Sequence, residues 1–204
     1  MLSRIAVLVS GGGTNLEHLL LAQEAGRIPH GKIVLTVSDN PGAYALKRAE
    51  NHGIPGVCVP KKGVPQAEFE AALSKELAAC RADMVILAGF LAILSPEFVR
   101  QWPDRILNIH PSLIPSFCGK GYYGLKVHEA ALARGVKVTG ATVHFVNEIP
   151  DGGRILLQKA VDILPGDTPE VLQRRVMEQA EWVLLPQAAE LVAAQIAEEK
   201  ERVQ

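Results

Sequence analysis

Four short runs within the first 110 residues are rich in apolar residues: RIAVLVS (4–10), KIVLTVS (32–38), DMVILAG (83–89) and RILNIH (105–110). Successive side chains of a strand point to opposite faces, so a strand with one wet face alternates apolar and polar residues. Runs with no such alternation have to be covered on both sides, which is the condition of a parallel sheet in an α/β fold. The intervening segments fit. Asn15 to Gly26 carries apolar residues at helical spacing and stops at a glycine, and residues 42–51 read as a second helix before the short strand GVCVP. Residues 66–80, QAEFEAALSKELAAC, form an amphipathic helix. After position 135 the texture changes. VKVTGATVHFV (136–146) and RILLQKAVDI (154–163) alternate more, and with IPDGG between them they read as a strand pair at one side of the sheet, antiparallel. From Thr168 a long amphipathic helix closes the chain, with Pro186 expected to interrupt or kink it. The pattern predicts a Rossmann-like α/β fold: a mostly parallel twisted sheet with helices on both faces.

Composition narrows the function classes. With 204 residues, 48% of them hydrophobic, the chain is long enough for one substantial core, and residues 1–204 read as a single domain. The charged tail from about 197, AEEKERVQ, reads as a solvated helix end that frays. A net charge of −1 gives no basic face for a nucleic acid. The apolar runs are too short to span a bilayer, and the N-terminus lacks a signal-peptide layout. Cys58, Cys80 and Cys118 are widely spaced and odd in number, which points to reduced thiols in the cytoplasm, without a disulfide framework or zinc spacing.

In an open α/β sheet ligands bind beyond the carboxyl ends of the strands, and three stretches fall there. SGGGTN (10–15) offers a tight glycine turn and a helix N-terminus, suited to a phosphate monoester on the N–H groups of Gly13, Thr14 and Asn15. It lacks the third glycine of the dinucleotide fingerprint and the lysine of the P-loop; the competing reading is a plain turn with Thr14 as helix cap. AGFLAILSP (88–96) offers an apolar slot from Phe90, Leu91, Ile93 and Leu94, and Ser95-Pro96 is a helix start. LNIHPSLIP (107–115) places Asn108 and His110 on one side of a strand end. Asp151, in a turn between strands that return to the same edge, would favour imidazolium at His110 and fix its orientation, although Asp-Gly is also a common turn dipeptide. His144 reads as a packed strand residue, and His18, His30, His52 and His128 as surface positions.

Taken together and in order, SGGGTNL, ILAGF-x-x-ILSP, LNIHPSL-x-P, VTGATVHFV and DGG-x-I-L-Q-x-A resemble the folate-dependent phosphoribosylglycinamide formyltransferases of purine synthesis, from about residue 4 to about residue 187. The resemblance implies transfer of a formyl group from the cosubstrate 10-formyltetrahydrofolate to the glycinamide amine of 5′-phosphoribosylglycinamide (glycinamide ribonucleotide), giving formylglycinamide ribonucleotide and tetrahydrofolate. It implies a catalytic trio of Asn108, His110 and Asp151, with Asp151 raising the pKa of His110. It further implies a phosphate site at Gly13, Thr14 and Asn15, a ribose contact at Glu181 with Glu178 as the alternative, and a folate wall at Leu91, Ala92, Ile93 and Leu94 together with Asn108. The partners implied are small molecules, with no metal, nucleic acid or membrane, and a monomer or homodimer in the cytoplasm.

The chain departs from the family pattern at three places. Ala92 and Gln66 stand where basic folate contacts are common, with Lys61 or Lys62 as candidate substitutes. After Pro115 the stretch SFCGKGYYG is longer than the usual short turn. It reads either as a mobile cover beside His110 or as a surface insertion. Rival functions are a formyltransferase acting on another amine, a hydrolase releasing formate from the same folate, and a phosphate sensor that would leave Asn108, His110 and Asp151 unused.

Overall fold

The structure, a computed structural model, describes residues 1–202. Among them one seven-stranded sheet is built from β1 (Ser3–Val9), β2 (Gly31–Ser38), β3 (Gly56–Cys58), β4 (Met84–Leu87), β5 (Ile106–His110), β6 (Val138–Phe145) and β7 (Ile155–Asp162). The helices are α1 (Thr14–Glu24), α2 (Tyr44–Asn51), α3 (Gln66–Ala79), α4 (Pro96–Val99), α5 (Leu125–Arg134), α6 (Pro169–Val176) and α7 (Trp182–Arg202). The strand order is β3-β2-β1-β4-β5-β6-β7. The first five strands are parallel, while β6 runs antiparallel to β5 and β7 antiparallel to β6.

The apolar strands are explained by two cores, one on each face. Ile5, Val7 and Val9 of β1 pack into a cluster with Leu16, Leu19 and Leu20 of α1 and Leu185, Val192 and Ile196 of α7. The alternate residues Ala6 and Leu8 pack on the other face with Phe69, Leu73 and Leu77 of α3. Those three α3 residues recur every four positions, so they line one stripe of the helix, and burying each is worth roughly 1.5–3 kcal/mol.

Two expectations about the C-terminal helix need correction. Pro186 does not end the helix; it sits inside α7. The interruption takes the form of a π-helical turn directly upstream, Met177–Glu181. A proline has no N–H to give and its ring crowds the carbonyl one turn back, and a π turn opens the backbone just ahead of it. The charged tail is also not frayed over its described part. The helix continues to Arg202, with Glu199 bonded to Arg105 and Lys200 to Asp83; Val203 and Gln204 lie outside the described residues.

Candidate active site

The strand order reverses between β1 and β4, and a crevice opens where their loops diverge. Those loops are tied together: Ser10 N–H donates to the Gly89 carbonyl at 3.1 Å, and Leu91 N–H donates to Ser10 Oγ at 2.8 Å. α1 begins at Thr14, with Gly13 in the left-handed region at φ 74° and no side chain capping the helix. Thr14 is therefore the first helical residue and not the cap. A side chain at position 13 would fail twice, since φ is positive and its Cβ would lie 2.6 Å from the Cβ of Ala45. The first N–H groups of α1 are left facing a cleft of about 640 Å³ that is also lined by Asn108, His110, Asp151 and Glu181.

Asn108 and His110 leave β5 toward this cleft, and β6 supplies their neighbours, with His144 opposite Asn108. The β6 strand runs the wrong way to bring Asp151 back, because Phe145 at its end lies opposite Leu107. The connection after it doubles back instead. Asn147 Oδ1 accepts from Ile149 N–H at 3.0 Å, its Nδ2 donates to the Gly152 carbonyl at 3.2 Å, and Asp151 takes up φ 55°. Both glycines of the D-G-G stretch are required here. A Cβ on Gly152 would lie 2.7 Å from the Ile149 Cβ, and a Cβ on Gly153 would overlap the Phe145 carbonyl. Gly153→Ala is expected to destabilise the protein by roughly 3 kcal/mol, the upper part of the overpacking range, and to pull Asp151 from the site. Chemical denaturation together with an activity assay would check both effects.

Asp151 is the shared carboxylate of the cluster. Its Oδ2 lies 3.6 Å from His110 Nδ1 and accepts from Gly119 N–H at 2.8 Å, and its Oδ1 lies 3.5 Å from His144 Nε2 and from Asn108 Nδ2. Burial alone would raise its pKa, but hydrogen bonding to His144, the charge of His110 and the Gly119 N–H outweigh it and hold the carboxyl below its usual range. His110 goes the other way. Burial lowers its pKa, and Asp151 and the Phe117 carbonyl only partly oppose this. The expected upward pull of Asp151 on His110 is present, but it does not set the net direction. Desolvation of a ring only 4% exposed wins. Nor does Asp151 alone orient the ring, since His110 Nε2 donates to the Phe117 carbonyl at 2.9 Å.

Sequence reasoning missed His144 as a member of this group. Its Nδ1 lies 2.8 Å from the Phe145 carbonyl, which can only accept, so Nδ1 carries a proton. Its Nε2 lies between Asn108 Nδ2 at 3.1 Å and Asp151 Oδ1 at 3.5 Å, so His144 helps to fix the Asn108 amide beside the carboxylate. The signal available was its register, directly across from Asn108 on a neighbouring strand. Among the supposed surface histidines, His128 is 1% exposed, borders the cleft, and is pushed down to about 4 by burial and by His110. His18 stacks on Trp182 at 3.7 Å and reaches the Thr14 carbonyl. His52 bridges Glu17 and Glu24.

The long stretch after Pro115 is part of the site. Phe117 supplies the carbonyl on His110, Gly119 supplies the N–H on Asp151, and Lys120 to Gly124 form one wall of the cleft. These contacts tie the stretch to the cluster around His110 and Asp151.

The π turn separates Glu181 from Glu178. Glu178 is on the outside, paired with Arg174. Glu181 is 6% exposed, lines the cleft, and accepts from Asn15 Nδ2 at 2.7 Å. Burial pushes its pKa up to about 7 against the Asn15 bond. The folded chain therefore holds this proton more tightly than the unfolded chain, and stability falls as pH rises from about 4.5 through about 7. Glu181→Gln keeps the acceptor and removes the charge. The variant is expected to be more stable than the parent above pH 7 by roughly 2–3 kcal/mol, with no such gain at pH 4.5. Urea titrations at the two pH values would check this; equal differences at both would refute it.

The strip Leu91–Leu94 splits. Leu91 and Ile93 are 62% and 67% exposed and line the cleft, whereas Leu94 is buried. Ala92, Ile93 and Leu94 edge a smaller recess of about 110 Å³ next to Asn108, His144 and Asp151. Gln66 offers no charge there; its amide bridges Glu70 and the Ile93 carbonyl. Lys61 is spent locally on the Val64 carbonyl and the Phe69 ring, and Lys62 is exposed. Among the described residues no helix is long and apolar enough to cross a membrane.

Asn108, His110 and Asp151 meet beyond the end of β5, beside the antiparallel β6, and the chain belongs to the formyl transferase family, whose profile matches residues 3–188. It is 42% identical over 191 residues to the trifunctional purine biosynthetic protein adenosine-3 of Drosophila melanogaster; the match covers 93% of this chain and 14% of that much longer relative. It is 40% identical over 186 residues to the phosphoribosylglycinamide formyltransferase of Haemophilus influenzae, covering 91% of this chain and 84% of that one. The crystal structure of glycinamide ribonucleotide transformylase 1 from Symbiobacterium toebii superposes with a TM-score of 0.88 at 42% identity, over 95% of this chain and 89% of that one.

Proposed function

We propose that this chain transfers a formyl group from 10-formyltetrahydrofolate to the amine of glycinamide ribonucleotide, as the names of its relatives suggest. The observation that carries the reading is that a single cleft is lined both by the uncapped start of α1 and by Asn108, His110 and Asp151. A ligand with a phosphate at one end and a nucleophile at the other fits that arrangement. Thr14 and Asn15 hold the phosphate, Glu181 accepts from the ribose hydroxyls, and the apolar edge of Leu91, Ala92, Ile93 and Leu94 receives the flat ring of the folate.

The chemistry uses the site's own polarity. The neutral amine attacks the formyl carbon and the carbonyl oxygen becomes an oxyanion. The Asn108 amide, held by His144, has its second N–H only loosely occupied by Asp151 at 3.5 Å, and this N–H stabilises the developing charge. Protonated His110 keeps Nδ1 toward the Asp151 carboxylate and, exchanging the Phe117 carbonyl for the substrate, offers its Nε2–H as the second stabilising donor. The tetrahedral intermediate collapses by breaking the bond between the former formyl carbon and the folate nitrogen. The proton lost by the amine reaches that nitrogen through His110 or water. Metal chemistry is not needed for this sequence of steps. The reading extends to small-molecule partners only, to a cytoplasmic location and to a monomer or homodimer.

The test is an assay of purified protein with glycinamide ribonucleotide and a 10-formylated folate. Matched production of deformylated folate and formylglycinamide ribonucleotide is the expected result. Folate consumption that ignores the ribonucleotide would instead mark a hydrolase, and no turnover by folded protein would end the proposal.

A further inference from the structure

The glycine loop does not hold its own shape. The α2 helix does, through one backbone N–H and one side chain. Ala45 N–H donates to the Gly11 carbonyl at 3.1 Å, and Arg48 Nε donates to the Gly12 carbonyl at 2.8 Å. The same guanidinium gives NH1 to Glu17 Oε2 at 3.0 Å. The other oxygen of Glu17 meets His52 Nε2 at 3.1 Å, and the far nitrogen of His52 meets Glu24 at 2.7 Å. Glu17 belongs to the first turn of α1. An unpaired carboxylate there would repel any anion at the helix start, and it would compete for the positive end of the helix dipole. Arg48 and His52 counter that charge. The Arg48 fork also ties the Gly12 carbonyl to α2.

We propose that Arg48 is a positioning residue for phosphate recognition: by anchoring the Gly12 carbonyl and pairing Glu17, it lets the start of α1 take a phosphate monoester. The proposal rests on the reading of that loop as the phosphate end of the cleft. Arg48 stands on a different helix from the loop and outside the catalytic cluster, so its effect is expected on one ligand and not on the other. Its planar fork makes two directed bonds at once, which a lysine cannot reproduce.

The experiment compares the wild type with Arg48→Met, which keeps most of the aliphatic stem, and with Arg48→Lys, which keeps the charge. The expected result for Arg48→Met is a rise of about tenfold or more in KM for glycinamide ribonucleotide. The KM for the folate should stay within about twofold and kcat within about threefold. Arg48→Lys should lie between the two. Inorganic phosphate, titrated by NMR against the amides of Gly13, Thr14 and Asn15, should shift the wild type more strongly than Arg48→Met. An unchanged ribonucleotide KM would overturn the proposal, as would a parallel rise in both KM values with a lowered melting temperature, the mark of general loosening. If the wild type formylates no ribonucleotide, the functional reading fails, and the phosphate titration then decides the proposal by itself: equal shifts, or none in either protein, overturn it.

Discussion

Replacing His110 with alanine is expected to slow formyl transfer by roughly a hundredfold or more, the scale of a lost general acid–base group. The ring is buried at the end of β5, with one nitrogen on the Phe117 carbonyl and the other toward Asp151. Truncation removes the donor for the oxyanion and the carrier of the proton. It leaves Asn108, the start of α1 and Glu181 in place, so KM for both substrates should move far less than kcat. Single-turnover rates at saturating ligand would measure this directly. A rate within threefold of wild type would show that His110 is not the group that handles the proton. The pH profile carries further information: the wild-type limb assigned to His110 should fall below the ordinary histidine range, because burial lowers its pKa, and that limb should vanish in the variant.

The second large effect is expected at Asp151. Asparagine tolerates the positive φ of 55° at this position better than most residues, and its side-chain carbonyl still accepts the Gly119 N–H. Asp151→Asn should therefore fold, yet the cluster of His110, His144 and Asn108 loses the carboxylate it shares. The pKa of His110, already lowered, should fall further once its main upward influence is gone. The rate should drop roughly 10²–10³-fold, since both protonation of His110 and charge stabilisation suffer. Imidazole NMR titration of His110 in both proteins tests the electrostatic step separately from the rate. An unchanged titration would show that the carboxylate does not govern this histidine. Stability carries a matching signature. The depressed Asp151 pKa means that its contribution is present above the ordinary carboxylate range and is lost as pH falls through the folded value, a dependence that the asparagine variant should lack.

Much of this site was legible without coordinates because it sits on regular elements. Asn108 and His110 share a strand face by parity alone, and strand ends in an α/β sheet point toward ligand. The same reasoning placed His144 as a packed strand residue without seeing its part in the cluster, and it misjudged the buried His128. Both look like packed or surface residues along the chain, and their relevance comes from which strand or loop lies next to them. Pro186 signalled a disturbed helix, but the disturbance proved to be a π turn that brings Glu181 to the cleft and leaves Glu178 outside.

By itself the sequence determined the architecture and singled out residues that the fold brings to one cleft. Apolar-rich runs without alternation require burial on both faces, the switch to alternation after position 135 requires an antiparallel finish, and a glycine turn ahead of a helix leaves N–H groups free. Only the tertiary structure decided how charge is balanced. The competition between burial and Asp151 at His110, the Phe117 carbonyl on its ring, and the pairing of Glu17 with Arg48 and His52 depend on contacts between residues distant in the chain. Desolvation and Coulomb attraction vary over distances of a few ångströms. Strand parity and helical spacing do not resolve such distances, and the folded loop after Pro115 does.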